Sequence, residues 1–226
     1  MTGPASGLRV DWLGRVDYAA GLELQAKAVE ARQSGASGDR LMLLEHPPVV
    51  TLGRAAHESN LLLSREALAS RGIAVHEVPR GGDVTYHAPG QLVGYLVADL
   101  HARGERDLHF FLRRMESALI EGLAGLGLRA RSVSGRTGVF MEAGAGEQGF
   151  PERKIASIGV GVRRWVTFHG FALNVTVALS GFDTIVPCGL KDVRMTSVAE
   201  ELGRGPLGLD AQVRREIAGS FARLFA

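Results

Sequence analysis

Residues 154–177 do most to restrict what this chain can become. Residues 154–162 and 165–177 are both strand-like, and Arg163 and Arg164 lie near the break between them, so the stretch reads as one long β-hairpin. A hairpin of that length needs further strands beside it and helices over it. Both are legible elsewhere. Residues 40–45 read as a buried strand stopped by His46-Pro47-Pro48, and 49–53, 72–79, 91–100, 128–134 and 138–142 as further strands. Tyr18, Leu22 and Val29 are helically spaced over 17–32, and Ser64 caps a short helix to residue 70. Phe110, Leu112, Met115, Leu119 and Leu123 outline an amphipathic helix over 107–126. Ser197-Val-Ala-Glu200 has capping-box spacing, and Leu209, Val213, Ile217, Phe221 and Leu224 stripe a terminal helix. The Gly- and Glu-rich residues 143–153 read as a mobile surface loop, and 80–90 as a glycine-rich connector. Strands and helices mix without strict βαβ alternation. That predicts an α/β (α+β) fold, a mixed sheet with packed helices, and not a Rossmann domain.

Composition narrows the function classes. At 226 residues the chain fits one domain, 1–226. A net charge of +2 does not mark a nucleic-acid binder, and no apolar run approaches the ~20 residues of a membrane span. Met1-Thr-Gly-Pro-Ala-Ser-Gly-Leu8 has no basic region followed by an apolar core, so a cytoplasmic location is expected. The lysines are Lys27, Lys154 and Lys191, against many arginines, which draws attention to any lysine inside an apolar segment.

Cys188 is the only cysteine, which excludes an internal disulfide and a cysteine-built zinc site. It lies in Ile185-Val-Pro-Cys-Gly-Leu190, where Pro187 fixes its φ and Gly189 permits a sharp change of direction. That suits a thiol at the lip of a turn; a small buried hydrophobe is the other reading. A nucleophilic cysteine needs a cation or base nearby. Lys154 heads Lys-Ile-Ala-Ser-Ile-Gly-Val-Gly-Val162, and strand alternation puts it on one face with Ala156, Ile158, Val160 and Val162. It is either an edge residue reaching water or a cation beside a pocket. Ser157, Gly159 and Gly161, on the other face, leave room for a ligand or another backbone.

Arg80-Gly-Gly-Asp-Val-Thr-Tyr-His87, followed by Ala-Pro-Gly-Gln91, gathers polar side chains on an adaptable backbone and matches no nucleotide-binding loop. His169, in Phe168-His-Gly-Phe-Ala-Leu-Asn174, is a site residue or a core histidine. His46, His57, His76, His101 and His109 show no metal-ligand spacing, and no metal site is assigned.

Taken in order, 80–91, 154–159, 169–174 and 187–189 resemble the lipoyl(octanoyl) transferase family. The likeness extends from about residue 41 to 202. It implies the fold shared by class II aminoacyl-tRNA synthetases and biotin and lipoate protein ligases. It also implies transfer of octanoyl from octanoyl-acyl carrier protein to the target lysine of a lipoyl domain, with no cofactor. Acceptors would be lipoyl domains of 2-oxoacid dehydrogenase complexes and the glycine cleavage H protein; no nucleic acid or membrane is involved. By resemblance, Cys188 is the acyl-thioester nucleophile and Lys154 lowers its pKa. Arg80, Gly81, Gly82, Asp83, Val84, Thr85, Tyr86, His87, Ser157, Ile158, Gly159, Gly170, Phe171 and Ala172 would line the substrate pocket. Departures from the family pattern are Ala88 for glycine, Phe168 for a second histidine and Asp83 for glutamine.

Alternatives are an ATP-dependent lipoate or biotin ligase, a hydrolase pairing Cys188 with His169, and a non-catalytic module meeting acidic carriers through Arg163 and Arg164.

Overall fold

The computed structural model describes residues 7–143, 152–187, 192–205 and 207–226. The elements in chain order are β1 (Arg9–Arg15), α1 (Tyr18–Gln33), β2 (Arg40–Glu45), β3 (Val49–Leu52), a 3-10 turn (Glu58–Asn60) and α2 (Arg65–Ser70). Next come β4 (Ala74–Glu77), β5 (Val84–His87), β6 (Gln91–Val97), α3 (Leu108–Ala124), β7 (Ala130–Val133) and β8 (Arg136–Met141). The chain ends with β9 (Glu152–Arg163), β10 (Val166–Asn174), a 3-10 segment (Leu179–Thr184), β11 (Val193–Met195), α4 (Val198–Leu202) and α5 (Leu209–Leu224).

The main sheet runs β1-β2-β6-β10-β9-β8-β7, with β11 joined to β9. The β1/β2 and β11/β9 pairs are parallel and the other pairs are antiparallel. A smaller sheet, β4-β3-β5, stands apart from it. The apolar stripes of α3 and α5 cover one face, where Phe111, Leu119, Ile217 and Phe221 pack against Leu41, Leu96, Ile155 and Phe171. On the other face, Ala28 and Val29 of α1 meet Met42, Leu44, Val93 and Tyr95. This is the expected mixed sheet with helices on it. The long hairpin is β9/β10, with Arg163 paired to Val166.

Two caps behave as their residues dictate. The Asp107 carboxylate accepts from the N–H groups of His109 at 2.8 Å and Phe110 at 3.1 Å. Ser197 Oγ accepts from Glu200 N–H at 3.2 Å. The connector expected at 80–90 contains a strand instead. β5 is short, but Val50, Thr51 and Leu52 of β3 pair with Tyr86, Thr85 and Val84, so the ladder fixes it despite the glycines around it. Of the loop expected at 143–153, residues 144–151 lie outside the described residues, and Glu152 already belongs to β9.

Candidate active site

A cavity of about 250 Å³ opens between the small sheet and the main sheet, and it gathers residues far apart in sequence. Arg80, Gly82, Asp83, Thr85 and His87 line it from the small-sheet side. Lys154, Ser157, Ile158 and Gly159 come from β9, and Gly170, Phe171 and Ala172 from β10. Gly81, Val84 and Tyr86 are not among its walls. Gly81 N–H instead donates to Val160 O at 2.9 Å, pinning the loop to β9. Val84 and Tyr86 point into the small sheet's own core, where the Tyr86 ring meets Phe182 edge-on at 5.6 Å. Alternation along β5 explains the split, since Thr85 and His87 lie on the cavity side. Cys188 and Gly189 lie outside the described residues.

Lys154 is 2% exposed. Its ammonium donates to Thr137 O at 3.0 Å and lies 5.4 Å from the Phe140 ring centre. Strict alternation would have turned it away from Ser157 and Gly159, and the structure corrects that expectation. Val139 pairs with Ala156 while its neighbour Phe140 pairs with Lys154, so β9 carries one extra residue at Ile155. Ile155 and Ala156 consequently both enter the helix-covered core, and Lys154 joins Ser157 and Gly159 on the cavity side.

The small-residue face of β9 accommodates both a cavity and another backbone. A Cβ on Gly159 would lie 2.8 Å from Gly81 O, and one on Gly161 would lie 2.8 Å from Pro79 O. Glycine at these positions lets the Pro79–Gly81 segment close over the strand.

Arg80 is buried, with one terminal nitrogen donating to Thr51 O and Thr51 Oγ1, both at 2.8 Å, and the other to Gly81 O at 3.0 Å. Asp83 organises the neighbouring loop: its carboxylate accepts from Val84 N–H at 2.7 Å and from Asn60 Nδ2 at 2.5 Å. A carboxylate at this family departure is therefore accounted for by local bonding.

His87 is oriented by a chain of amides. Gln91 Nε2 donates to Tyr86 O at 3.1 Å and to Asn174 Oδ1 at 2.9 Å, so its Oε1 must accept from His87 Nδ1–H at 2.7 Å. Nε2 of His87 then carries the lone pair, 3.5 Å from Thr51 Oγ1. Burial, then the charges of His46, Arg80 and His169, push its pKa down to about 3. Burial, followed by Arg80, does the same for His169, also to about 3. His169 adopts a left-handed backbone (φ 58°), uncommon outside glycine, and its N–H donates to Gln25 Oε1 at 2.7 Å. Both imidazoles are neutral at pH 7 and act there as hydrogen-bonding groups and not as cations.

Tyr18, Val93, Tyr95, Gly135, Arg136 and Thr137 also line the cavity and were not expected from the sequence. They come from α1, β6, the β7–β8 turn and the start of β8, none of which carries a recognisable motif. A tyrosine inside the apolar run of β6 was the only local signal. Burial raises the Tyr18 pKa to about 12 and that of Tyr95 well above its usual value, so both phenols stay protonated. His46 underlies them: its Nδ1–H donates to Val16 O at 2.7 Å, and its Nε2 accepts from Tyr95 O–H at 2.6 Å. Among the described residues no three His, Cys, Asp or Glu side chains are grouped to hold a metal ion.

Residues 17–221 match the lipoyl protein ligase A/B catalytic domain. The chain belongs to that family. It is 49% identical over 219 residues to the octanoyltransferase of Acidobacterium capsulatum, covering 94% of this chain and 88% of that protein. It is also 49% identical over 210 residues to the octanoyltransferase of Geobacter metallireducens, covering 92% and 89%. The chain is thus an enzyme, a transferase of the lipoyl(octanoyl) transferase type. The fold is shared with a bi-partite lipoate protein ligase of Thermoplasma acidophilum, at a TM-score of 0.68 and 18% identity, with 96% of this chain and 83% of that one aligned.

Proposed function

We propose that residues 1–226 form a single catalytic domain that takes octanoyl from octanoyl-acyl carrier protein, holds it as a thioester on Cys188, and passes it to the target lysine of a lipoyl domain. The acceptors are lipoyl domains of 2-oxoacid dehydrogenase complexes and the glycine cleavage H protein, and the setting is the cytoplasm. The observation that carries this reading is the buried ammonium of Lys154 in a cavity wall, on a strand that pairs with β11. β11 follows Cys188 closely in sequence, and Met195 of β11 lies opposite Lys154.

The chemistry follows in two halves. A free thiol with a pKa near ~8.5 is mostly protonated at neutral pH, and an adjacent ammonium favours the thiolate. The Cys188 thiolate attacks the donor's thioester carbon; the new C–S bond forms, the old one breaks, and the leaving carrier thiolate takes a proton from the Lys154 ammonium. One thioester replaces another, so no ATP is consumed. In the second half the acceptor amine attacks the Cys188 thioester, the amide forms as the C–S bond breaks and Cys188 leaves as a thiolate, and Lys154, neutral after the first half, takes the amine's proton and is again an ammonium. Val93 and Ala172 give the acyl chain an apolar wall. At roughly 0.8 kcal/mol per buried CH₂, six methylenes contribute about 5 kcal/mol at most.

The test is intact-mass analysis after incubation with octanoyl-acyl carrier protein in the absence of ATP. An octanoyl adduct is expected on the wild type and not on Cys188→Ser, and it should move to the lysine of an added lipoyl domain. Transfer that appears only when ATP is supplied, with no adduct on the wild type, would overturn the reading.

A further inference from the structure

Glu116 is a carboxylate buried to 1% exposure on α3. Arg113 donates to its Oε2 at 2.5 Å, and Gly138 N–H donates to its Oε1 at 3.0 Å. Gly138 N–H belongs to the same peptide unit as Thr137 C=O, which accepts from Lys154 Nζ at 3.0 Å. A single peptide group therefore has a carboxylate on its N–H end and an ammonium on its C=O end. Hydrogen bonds in series polarise one another, and charge-assisted ones most of all. An anion accepting from the N–H makes the carbonyl a stronger acceptor for the cation.

We propose that Glu116 is a positioning residue for catalysis, acting through the Thr137–Gly138 peptide to hold the Lys154 ammonium aimed into the cavity. The inference rests on the reading of Lys154 given above. Gly138 is suited to the junction: its φ is 125°, and a Cβ there would lie 2.7 Å from Lys154 Cε and 3.1 Å from Nζ. Other charged groups around the ammonium are Arg113 on α3, Arg80 across the cavity, and Arg153 beside it in sequence, which pairs with Glu201. Arg136 on β8 is paired with Glu152 and Asp192. Asp83, His87, His169, Tyr18 and Tyr95 complete the titratable lining. Of the carboxylates among these, Glu116 alone bonds the peptide that receives Lys154.

Glu116→Gln keeps an acceptor for Gly138 N–H and removes the charge. The expected result is a kcat lower by about tenfold with KM for octanoyl-acyl carrier protein nearly unchanged. A purely structural role would lower the thermal midpoint and leave kcat per folded molecule unmoved; that result overturns the proposal. If Glu116→Gln does not fold, Glu116→Asp keeps the charge but draws it back from Gly138; a lower kcat at constant KM supports the relay, and wild-type kcat overturns it. Lys154→Met separates the two readings. If Lys154→Met loads octanoyl at the wild-type rate, the role of Lys154 fails and the relay with it. If Lys154→Met is inactive and Glu116→Gln is normal, the relay alone fails.

Discussion

A primary ammonium with almost no solvent contact needs acceptors, and Lys154 finds one in Thr137 O and an aromatic face in Phe140. The space is closely fitted, since Gly138 leaves no room for a Cβ beside Nζ. Lys154→Arg keeps the positive charge but brings a larger planar group that cannot give up its proton. Octanoyl loading in that variant should fall by about 100-fold or more in single-turnover assays while the fold persists; near-normal loading would show that charge alone suffices. The residue types of this site were legible, because lysine in an apolar strand and the Arg80–His87 series stand out against their surroundings. The placement of Lys154 was not. Its face depends on a bulge, and a bulge is decided by how β9 pairs with β8, which no pattern within β9 reveals.

At the scale of elements, the β9/β10 hairpin is the framework of the site, and its turn is unusual. Arg164 and Trp165 both have positive φ, 51° and 65°, where two-residue hairpin turns favour Asn-Gly. Non-glycine side chains in that conformation are strained by about 1 kcal/mol. Trp165 has compensating contacts, since Leu100 N–H donates to its carbonyl at 2.8 Å and the Arg106 guanidinium lies 5.6 Å from its ring centre. Arg164→Asn should therefore raise the unfolding free energy measured in urea, by several tenths to about 1 kcal/mol, with no change in activity; a lower value would mean that the arginine side chain contributes more than its backbone costs. Elements with strong internal periodicity, α3, α5 and this hairpin, were readable because their partners impose a simple repeat on them. β1, an edge strand whose burial does not alternate, was not read, and neither was the three-residue β11. β5 was hidden among glycines because its stability comes from β3, 32 or more residues earlier in register.

For the molecule as a whole, bringing two sheets and α1 together buries three imidazoles at one junction. The His46 and His87 rings are 6.0 Å apart, with Tyr18 against both, and the His169 ring lies 6.1 Å from Tyr95. Burial lowers the pKa of His46 to about 4 and those of His87 and His169 to about 3, against an ordinary 6.5. The sign follows from proton counting. Below pH 6.5 the unfolded chain binds protons at these positions and the folded chain does not, so stability falls as pH drops, from about 6.5 until the folded values are reached. Between pH 7 and pH 5 each imidazole should cost roughly 1–2 kcal/mol, and the three together a large share of an ordinary domain's stability. Urea unfolding at the two pH values measures this directly. The variant to compare is His169→Asn, because asparagine tolerates the left-handed backbone at that position and does not titrate. Its stability should change less between pH 7 and pH 5 than that of the wild type, by about one imidazole's share. A wild-type midpoint that is flat across this range would mean that the three rings take up protons in the folded state, and that the junction admits more water than its packing allows.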